Sequence, residues 1–93
     1  MRLQWSPAAF ERKQEIRERI ATSDPGAAIR LDERFERRAE LLLTAPSMGR
    51  PGLVEGTRET VVHRNYRLVY TVTDDVVTIV AIVHSAQQWP PVD

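Results

Sequence analysis

The chain has 93 residues, of which 42% are hydrophobic and 28% charged, and it contains no cysteine. This composition predicts one folded domain over residues 1–93 and argues against a disordered chain, a disulfide scaffold and a cysteine-based zinc site. Thirteen basic residues balance thirteen acidic ones, so nucleic acid could be bound only through a local patch. No apolar run approaches the roughly 18 residues of a membrane span, and the N-terminal residues are too charged for a signal peptide. We therefore expect a cytoplasmic protein that does not enter a membrane.

The N-terminal half predicts one short strand followed by two helices. Arg2–Trp5 is a candidate strand, and Ser6-Pro7 ends it with a helix start signal, because serine caps a helix and proline is preorganised for its first position. Apolar spacing then predicts a helix from Pro7 to Thr22. Asp24-Pro25 repeats the start signal, and Pro46 closes the second helix. Since few residues separate the helices, we expect an antiparallel helical hairpin.

A long loop and three strands are predicted for the rest of the chain. Residues 46–57 contain three glycines and two prolines, and loops of this length without structure of their own are often functional. Arg50 lies within this loop. The following residues are rich in Val, Ile, Thr and Tyr, which predicts strands at Arg58–His63, Tyr66–Thr73 and Val76–Ser85.

Two tight turns, at Arg64-Asn65 and Asp74-Asp75, set the predicted register of these strands. Side chains alternate between the two faces of a sheet, so this register directs Tyr66, Leu68 and Tyr70 towards the helices. The other face receives a mixture of polar, charged and apolar side chains: Arg58, Arg67, His84, Val69, Val80 and Ile82.

This second face has nothing left in the chain to cover it, and an exposed apolar surface with polar edges indicates a site for a partner. The same register places Glu59 on the apolar face, which is an awkward position for a carboxylate. We attribute this to its place at the end of a strand.

The predicted order is β-α-α-β-β-β, an α+β fold in which a helical hairpin covers one face of an antiparallel sheet. Over nearly the whole chain this order resembles the ParE/RelE superfamily of bacterial type II toxins. Four segments carry the resemblance: Gly49-Arg50-Pro51-Gly52, Gly56-Thr57-Arg58-Glu59, Tyr66-x-Leu68-x-Tyr70 and His84-Ser85-Ala86-Gln87-Gln88-Trp89-Pro90. The resemblance implies a small cytoplasmic protein that arrests growth.

It also implies a partner, because a co-expressed antitoxin neutralises such toxins by laying its C-terminal segment along them in a hetero-oligomer. We assign binding of the target or of the antitoxin to these residues: Arg50, Arg58, Arg67, Val69, Val80, Ile82, Gln88 and Trp89. No cofactor is expected. No metal site is expected either, because two histidines without patterned acidic partners are too few.

Two branches of the superfamily differ in their target. RelE-like members cut messenger RNA on the ribosome, and by position His84, Arg58 and Arg67 resemble their catalytic residues. Such cleavage needs groups that accept and donate a proton, and cations that stabilise the phosphorane. ParE-like members inhibit DNA gyrase and need no nuclease residues. Ser85 occupies a position where several nucleases of the family have tyrosine. A net charge of zero also suits binding to ribosomal RNA poorly. Both observations favour DNA gyrase as the target. An inactive, toxin-shaped binding module is a third reading.

Overall fold

A computed structural model describes residues 1–91, which form two helices packed against a five-stranded sheet. The elements in chain order are β1 (Arg2–Trp5), α1 (Pro7–Ala21), α2 (Pro25–Leu41), β2 (Arg50–Pro51), β3 (Arg58–His63), β4 (Tyr66–Thr73) and β5 (Val76–His84). Val92 and Asp93, the last two residues of the predicted domain, lie outside the described residues. The α+β class and the pair of helices on the sheet are confirmed.

Both helices begin at their predicted caps. The side chain of Ser6 accepts a hydrogen bond from the Ala9 amide at 3.1 Å, and the side chain of Asp24 accepts one from the Ala27 amide at 3.0 Å. These bonds satisfy amides that have no partner within the helix. The second helix ends at Leu41, before Pro46, and residues 42–44 form a turn between them. Neither helix has the length and apolar composition of a bilayer span.

The sheet order is β1-β5-β4-β3-β2. The predicted antiparallel sheet is wrong in one respect, because β1 runs parallel to β5 and the sheet is mixed. The predicted loop over residues 46–57 is also not free of structure. Its Arg50–Pro51 segment forms β2 at the sheet edge and pairs with β3, a position where proline is tolerated since one side of an edge strand needs no ladder bond.

Two β-bulges change the predicted register. Pairing of β4 with β5 follows the prediction from Thr73 and Val76 as far as Tyr70 and Ile79, and then slips by one residue at Val80. Pairing of β3 with β4 slips in the same way at Val62. A bulge adds one residue to one strand, so every side chain beyond it moves to the opposite face.

The bulges overturn the prediction that Arg58, Arg67 and His84 share a face. Arg58 is paired with Tyr70 and His84 with Tyr66, and directly paired residues point to the same side of a sheet. Arg58 and His84 therefore lie on the helix side. Arg67 lies on the opposite side, together with Glu59, which leaves the core face that the predicted register had given it.

The core lies between the helices and the sheet. Its buried members come from α1, α2, the turn after α2 and three strands: Ala9, Ile16, Phe35, Ala39, Leu42, Val62, Tyr66, Leu68, Tyr70, Val77, Ile79 and Ile82. Ile82 is 3% exposed and Val69 is 0% exposed, so the expectation that they form a docking surface is wrong. The bulge turns Ile82 into the core, and Val69 is covered in the middle of the central strand β4.

Candidate functional site

The segment that joins α2 to the sheet is fixed by one buried tyrosine. The Tyr70 hydroxyl donates a hydrogen bond to the carbonyl of Pro46 at 2.7 Å and accepts one from the amide of Gly49 at 3.0 Å. A Cβ on Gly49 would lie 2.7 Å from the Tyr70 hydroxyl and 2.7 Å from the Glu59 carbonyl, so only glycine fits. This anchoring holds the β2 edge against β3.

Arg58 holds the same segment from β3. Its Nη1 donates to the carbonyl of Gly49 at 2.7 Å and, at 3.4 Å, to the carbonyl of Ser47. Both bonds come from Nη1, which carries two of the five N–H donors of the guanidinium. The structure thus gives Arg58 an anchoring position, whereas the sequence had suggested a residue that faces a ligand.

Glu59 pairs with two arginines, Arg50 and Arg67, on the face of the sheet away from the helices. The residue is 4% exposed, and its Oε1 accepts from Arg67 Nε at 2.8 Å. The same oxygen lies 3.6 Å from Arg50 Nη2, and Oε2 accepts from the Leu53 amide at 3.3 Å. A buried carboxylate needs such partners because an unpaired buried charge is strongly unfavourable.

Three arginines, Arg50, Arg64 and Arg67, surround Val61 in a small concavity, which we call the arginine notch. Its volume is about 140 Å³, and its remaining lining residues are His63, Tyr66 and Ser85. Val61 is 59% exposed. The sequence had led us to select Arg50 and Arg67, but neither Arg64, which lies in a predicted turn, nor Val61. The predicted position of Glu59 could have revealed the notch. A carboxylate predicted on the core face of the sheet indicates that the predicted strand register is wrong.

His84 lies at the other side of the sheet. Its ring meets that of Tyr66 edge to face, with centroids 5.1 Å apart, and its Nδ1 accepts from the Ala86 amide at 3.1 Å. The Tyr66 hydroxyl accepts from Arg19 Nη2 at 2.9 Å. The three residues of the predicted nuclease set are therefore not gathered on one surface.

A larger groove, the α2 groove, runs beside the second helix. Its volume is about 570 Å³, and it is lined by Arg34, Arg37, Arg38, Glu40, Leu41, Thr44 and Val62. At Arg34 it adjoins a hollow of about 370 Å³ whose apolar members include Ile20 and Leu31 and whose rim carries Arg30. The groove and the hollow together are thus lined by four arginines, by one carboxylate, that of Glu40, and by apolar side chains.

Comparison with known families decides what kind of protein this is. The model of the family described as "ParE toxin of type II toxin-antitoxin system, parDE" matches residues 3–89. The chain belongs to this toxin family. A curated relative, named "Putative toxin Y4kP", comes from Sinorhizobium fredii (strain NBRC 101917 / NGR234). It is 37% identical over 92 residues, which is 98% of this chain and 95% of the relative.

Solved structures share the fold of this toxin. A structure described as the chromosomal ParDE system from P. aeruginosa matches with a TM-score of 0.80 and 20% identity, covering 90% of this chain and 95% of the other. The YoeB dimer from Staphylococcus aureus matches with a TM-score of 0.65 and 17% identity, covering 87% and 92%. At such identities the likeness concerns the fold, so the two branches of the superfamily are not separated by it.

The remaining predicted binding residues of the toxin lie near its C-terminal end. Val80 is half-buried, and its carbonyl accepts from the Ser6 hydroxyl at 3.3 Å. Gln88 is exposed, whereas Trp89 is half-buried with an Nε1 that has no hydrogen-bond partner within the described residues. Across residues 1–91, no three acidic, histidine or cysteine side chains are grouped as a metal site would require.

Proposed function

We propose that this ParE-family toxin arrests growth by inhibiting DNA gyrase and that a cognate antitoxin neutralises it. The observation that carries the choice of target is that Arg67 points to the opposite face of the sheet from Arg58 and His84. RNA cleavage needs a proton acceptor, a proton donor and a cation within reach of one phosphodiester. Groups that point to opposite faces do not meet that requirement.

The engagement of the same side chains supports this choice. Arg58 donates hydrogen bonds to two backbone carbonyls of the loop, Arg67 donates one to Glu59, and His84 Nδ1 accepts one from the Ala86 amide. An inhibitor that acts by binding needs a surface of suitable charge and shape instead of a proton relay. The arginine notch with its exposed Val61 provides one. Gyrase is a cytoplasmic enzyme, so this function places the toxin in the cytoplasm.

The α2 groove is the surface that suits the antitoxin. Arg34 and Arg37 are exposed on its rim, while Leu41 and Val62 supply apolar contact. An acidic, amphipathic segment would pair its carboxylates with the rim and bury its apolar side on the floor. Toxin–antitoxin assembly is seen in a fold relative, the heterotetrameric YoeB-YefM complex from Staphylococcus aureus, which matches with a TM-score of 0.61 and 20% identity, covering 85% of this chain and 90% of the other.

Induction of the toxin without its antitoxin tests the target. We expect incorporation of labelled thymidine to fall and the DNA-damage response to rise before incorporation of labelled methionine declines. Co-expression of the antitoxin serves as the control and should restore both. If messages are cleaved within ribosomes before DNA synthesis slows, the target is the ribosome. A folded chain that leaves growth unaffected would instead support the inactive binding module.

A further inference from the structure

The arginine notch concentrates positive charge on a chain whose net charge is zero. Its arginines come from three parts of the fold: Arg50 from the edge strand β2, Arg64 from the turn after β3 and Arg67 from the central strand β4. No carboxylate lines the notch itself. Glu59 lies in the adjoining hollow of about 180 Å³, which shares Arg50, Val61 and Arg67 with the notch.

Glu59 leaves donors of Arg67 available. It accepts a hydrogen bond from Arg67 Nε at 2.8 Å, and within residues 1–91 no Arg67 nitrogen is both buried and unpaired. The Arg67 side chain is 17% exposed, and its terminal nitrogens are not the atoms that Glu59 engages. Arg50 lies at 3.6 Å from the same carboxylate with 71% of its side chain exposed, so it is free to turn towards a ligand. Guanidinium groups of this kind bind phosphate in a fork.

We propose that the arginine notch binds the phosphodiester backbone of duplex DNA, an inference that rests on gyrase as the proposed target. Gyrase holds duplex DNA, so a toxin bound to it has phosphates within reach. Arginine contacts to phosphate require no sequence reading. The notch is small and cationic with one exposed apolar residue, whereas the α2 groove is four times larger with an apolar floor. The groove suits an acidic peptide, and the notch suits a phosphate.

The salt dependence of DNA binding tests the site. The probe is a fluorescein-labelled duplex of 20 base pairs, and anisotropy is measured between 20 and 200 mM salt with wild type and two matched double variants. The notch variant is Arg50→Gln/Arg64→Gln, and the groove variant is Arg34→Gln/Arg37→Gln. All four arginines are exposed, so each variant should fold and each loses two positive charges.

Three phosphate contacts give a slope of log affinity against log salt of about −2.7, and each lost contact makes the slope shallower by about 0.9. Wild type and groove variant should therefore lose about 40-fold in affinity between 50 and 200 mM, and the notch variant about fourfold. Equal slopes for the two variants would overturn the site, because the attraction would then be general. Absence of binding by wild type at 20 mM would overturn it as well.

A second measurement tests the DNA site and the proposed gyrase target independently of each other. The notch variant should need at least about tenfold more toxin than wild type to inhibit purified gyrase, while its affinity for antitoxin stays unchanged. If wild type does not inhibit gyrase although the duplex data are as expected, the target is wrong and the DNA site stands. If both proteins inhibit gyrase equally, or if the notch variant loses affinity for the antitoxin instead, the site is overturned and the target stands.

Discussion

Tyr66 and His84 face each other across β4 and β5, with ring centroids 5.1 Å apart and ring planes at 89°. Their contact puts His84 on the helix side of the sheet, while Arg67, the neighbour of Tyr66, points to the opposite side. The histidine and the arginine that would have to act on one phosphate are thus divided by the sheet.

Replacement of the histidine distinguishes the two targets. If His84 transferred a proton in RNA cleavage, His84→Ala would lower the cleavage rate by about 10²–10⁴-fold. Its Nδ1 is bonded to the Ala86 amide in this structure, and we expect the variant to keep most of the toxicity. Growth after induction, with protein levels compared by immunoblot, measures this. A folded His84→Ala variant that has lost its toxicity would contradict the expectation.

Charge reversal in the α2 groove should weaken neutralisation. We expect Arg34→Glu/Arg37→Glu to reduce antitoxin affinity by about 1–3 kcal/mol, or roughly fivefold to 150-fold, because two exposed ion pairs become repulsive. Toxicity in the absence of antitoxin should persist. Calorimetric titration with the antitoxin gives the affinity, and Arg50→Glu/Arg64→Glu in the notch is the control with the same change in charge. Equal loss in both variants would mean that the groove is not the site.

The Tyr70 hydroxyl should contribute strongly to stability. Tyr70→Phe leaves the Gly49 amide and the Pro46 carbonyl without their buried partner, which costs about 1–3 kcal/mol. Urea denaturation measures the loss, and hydrogen exchange of the Gly49 amide should accelerate. Tyr66→Phe is the matched control, because its hydroxyl bonds to the exposed Arg19, and it should cost less than about 1 kcal/mol. Similar losses in the two variants would refute the anchoring role.

Lys13 should make stability depend on alkaline pH. It is 7% exposed, and its Nζ lies 2.8 Å from both Asp32 and Glu36. Burial is the largest single influence and lowers its pKa, but the hydrogen bonds and charges of the two carboxylates together raise the pKa above 10.5. A raised pKa in the folded state gives stability that is complete below the unfolded pKa and is lost as pH rises through the folded one.

We therefore expect Lys13→Met to lower the free energy of unfolding by roughly 1–3 kcal/mol at pH 7. The difference from wild type should shrink as pH rises above 10.5, the ordinary pKa of lysine. Urea denaturation between pH 7 and the highest pH at which unfolding stays reversible measures both effects. A difference that grows with pH would contradict the assigned pairing.

Much of the fold could be predicted from local signals. Serine and aspartate caps followed by proline placed both helix starts, and runs of Val, Ile, Thr and Tyr placed the three long strands. Strand bounds depend on composition and turn residues, which are local. The pairing of β1 parallel to β5 was missed because it depends on how the helices return the chain across the sheet.

The faces of the sheet could not be predicted because two bulges carry no clear local signal. Val62 follows another valine, and Val80 lies in the apolar run from Ile79 to Val83. An inserted residue at either place therefore leaves the hydrophobic pattern intact while it reverses the faces beyond it. The extra residue at Val80 therefore moved Ile82 into the core, and the extra residue at Val62 separated Arg58 from Arg67. The position of Glu59 was the one local conflict that pointed to the error.

Inhibition of gyrase is tested most directly by adding the purified toxin to purified DNA gyrase and relaxed plasmid, and measuring supercoiling and cleaved DNA. Toxin already mixed with antitoxin is the control. We predict that wild type and His84→Ala both block supercoiling and that the antitoxin prevents this. Unaffected gyrase, together with cleavage of ribosome-bound message that His84→Ala abolishes, would contradict the proposed function.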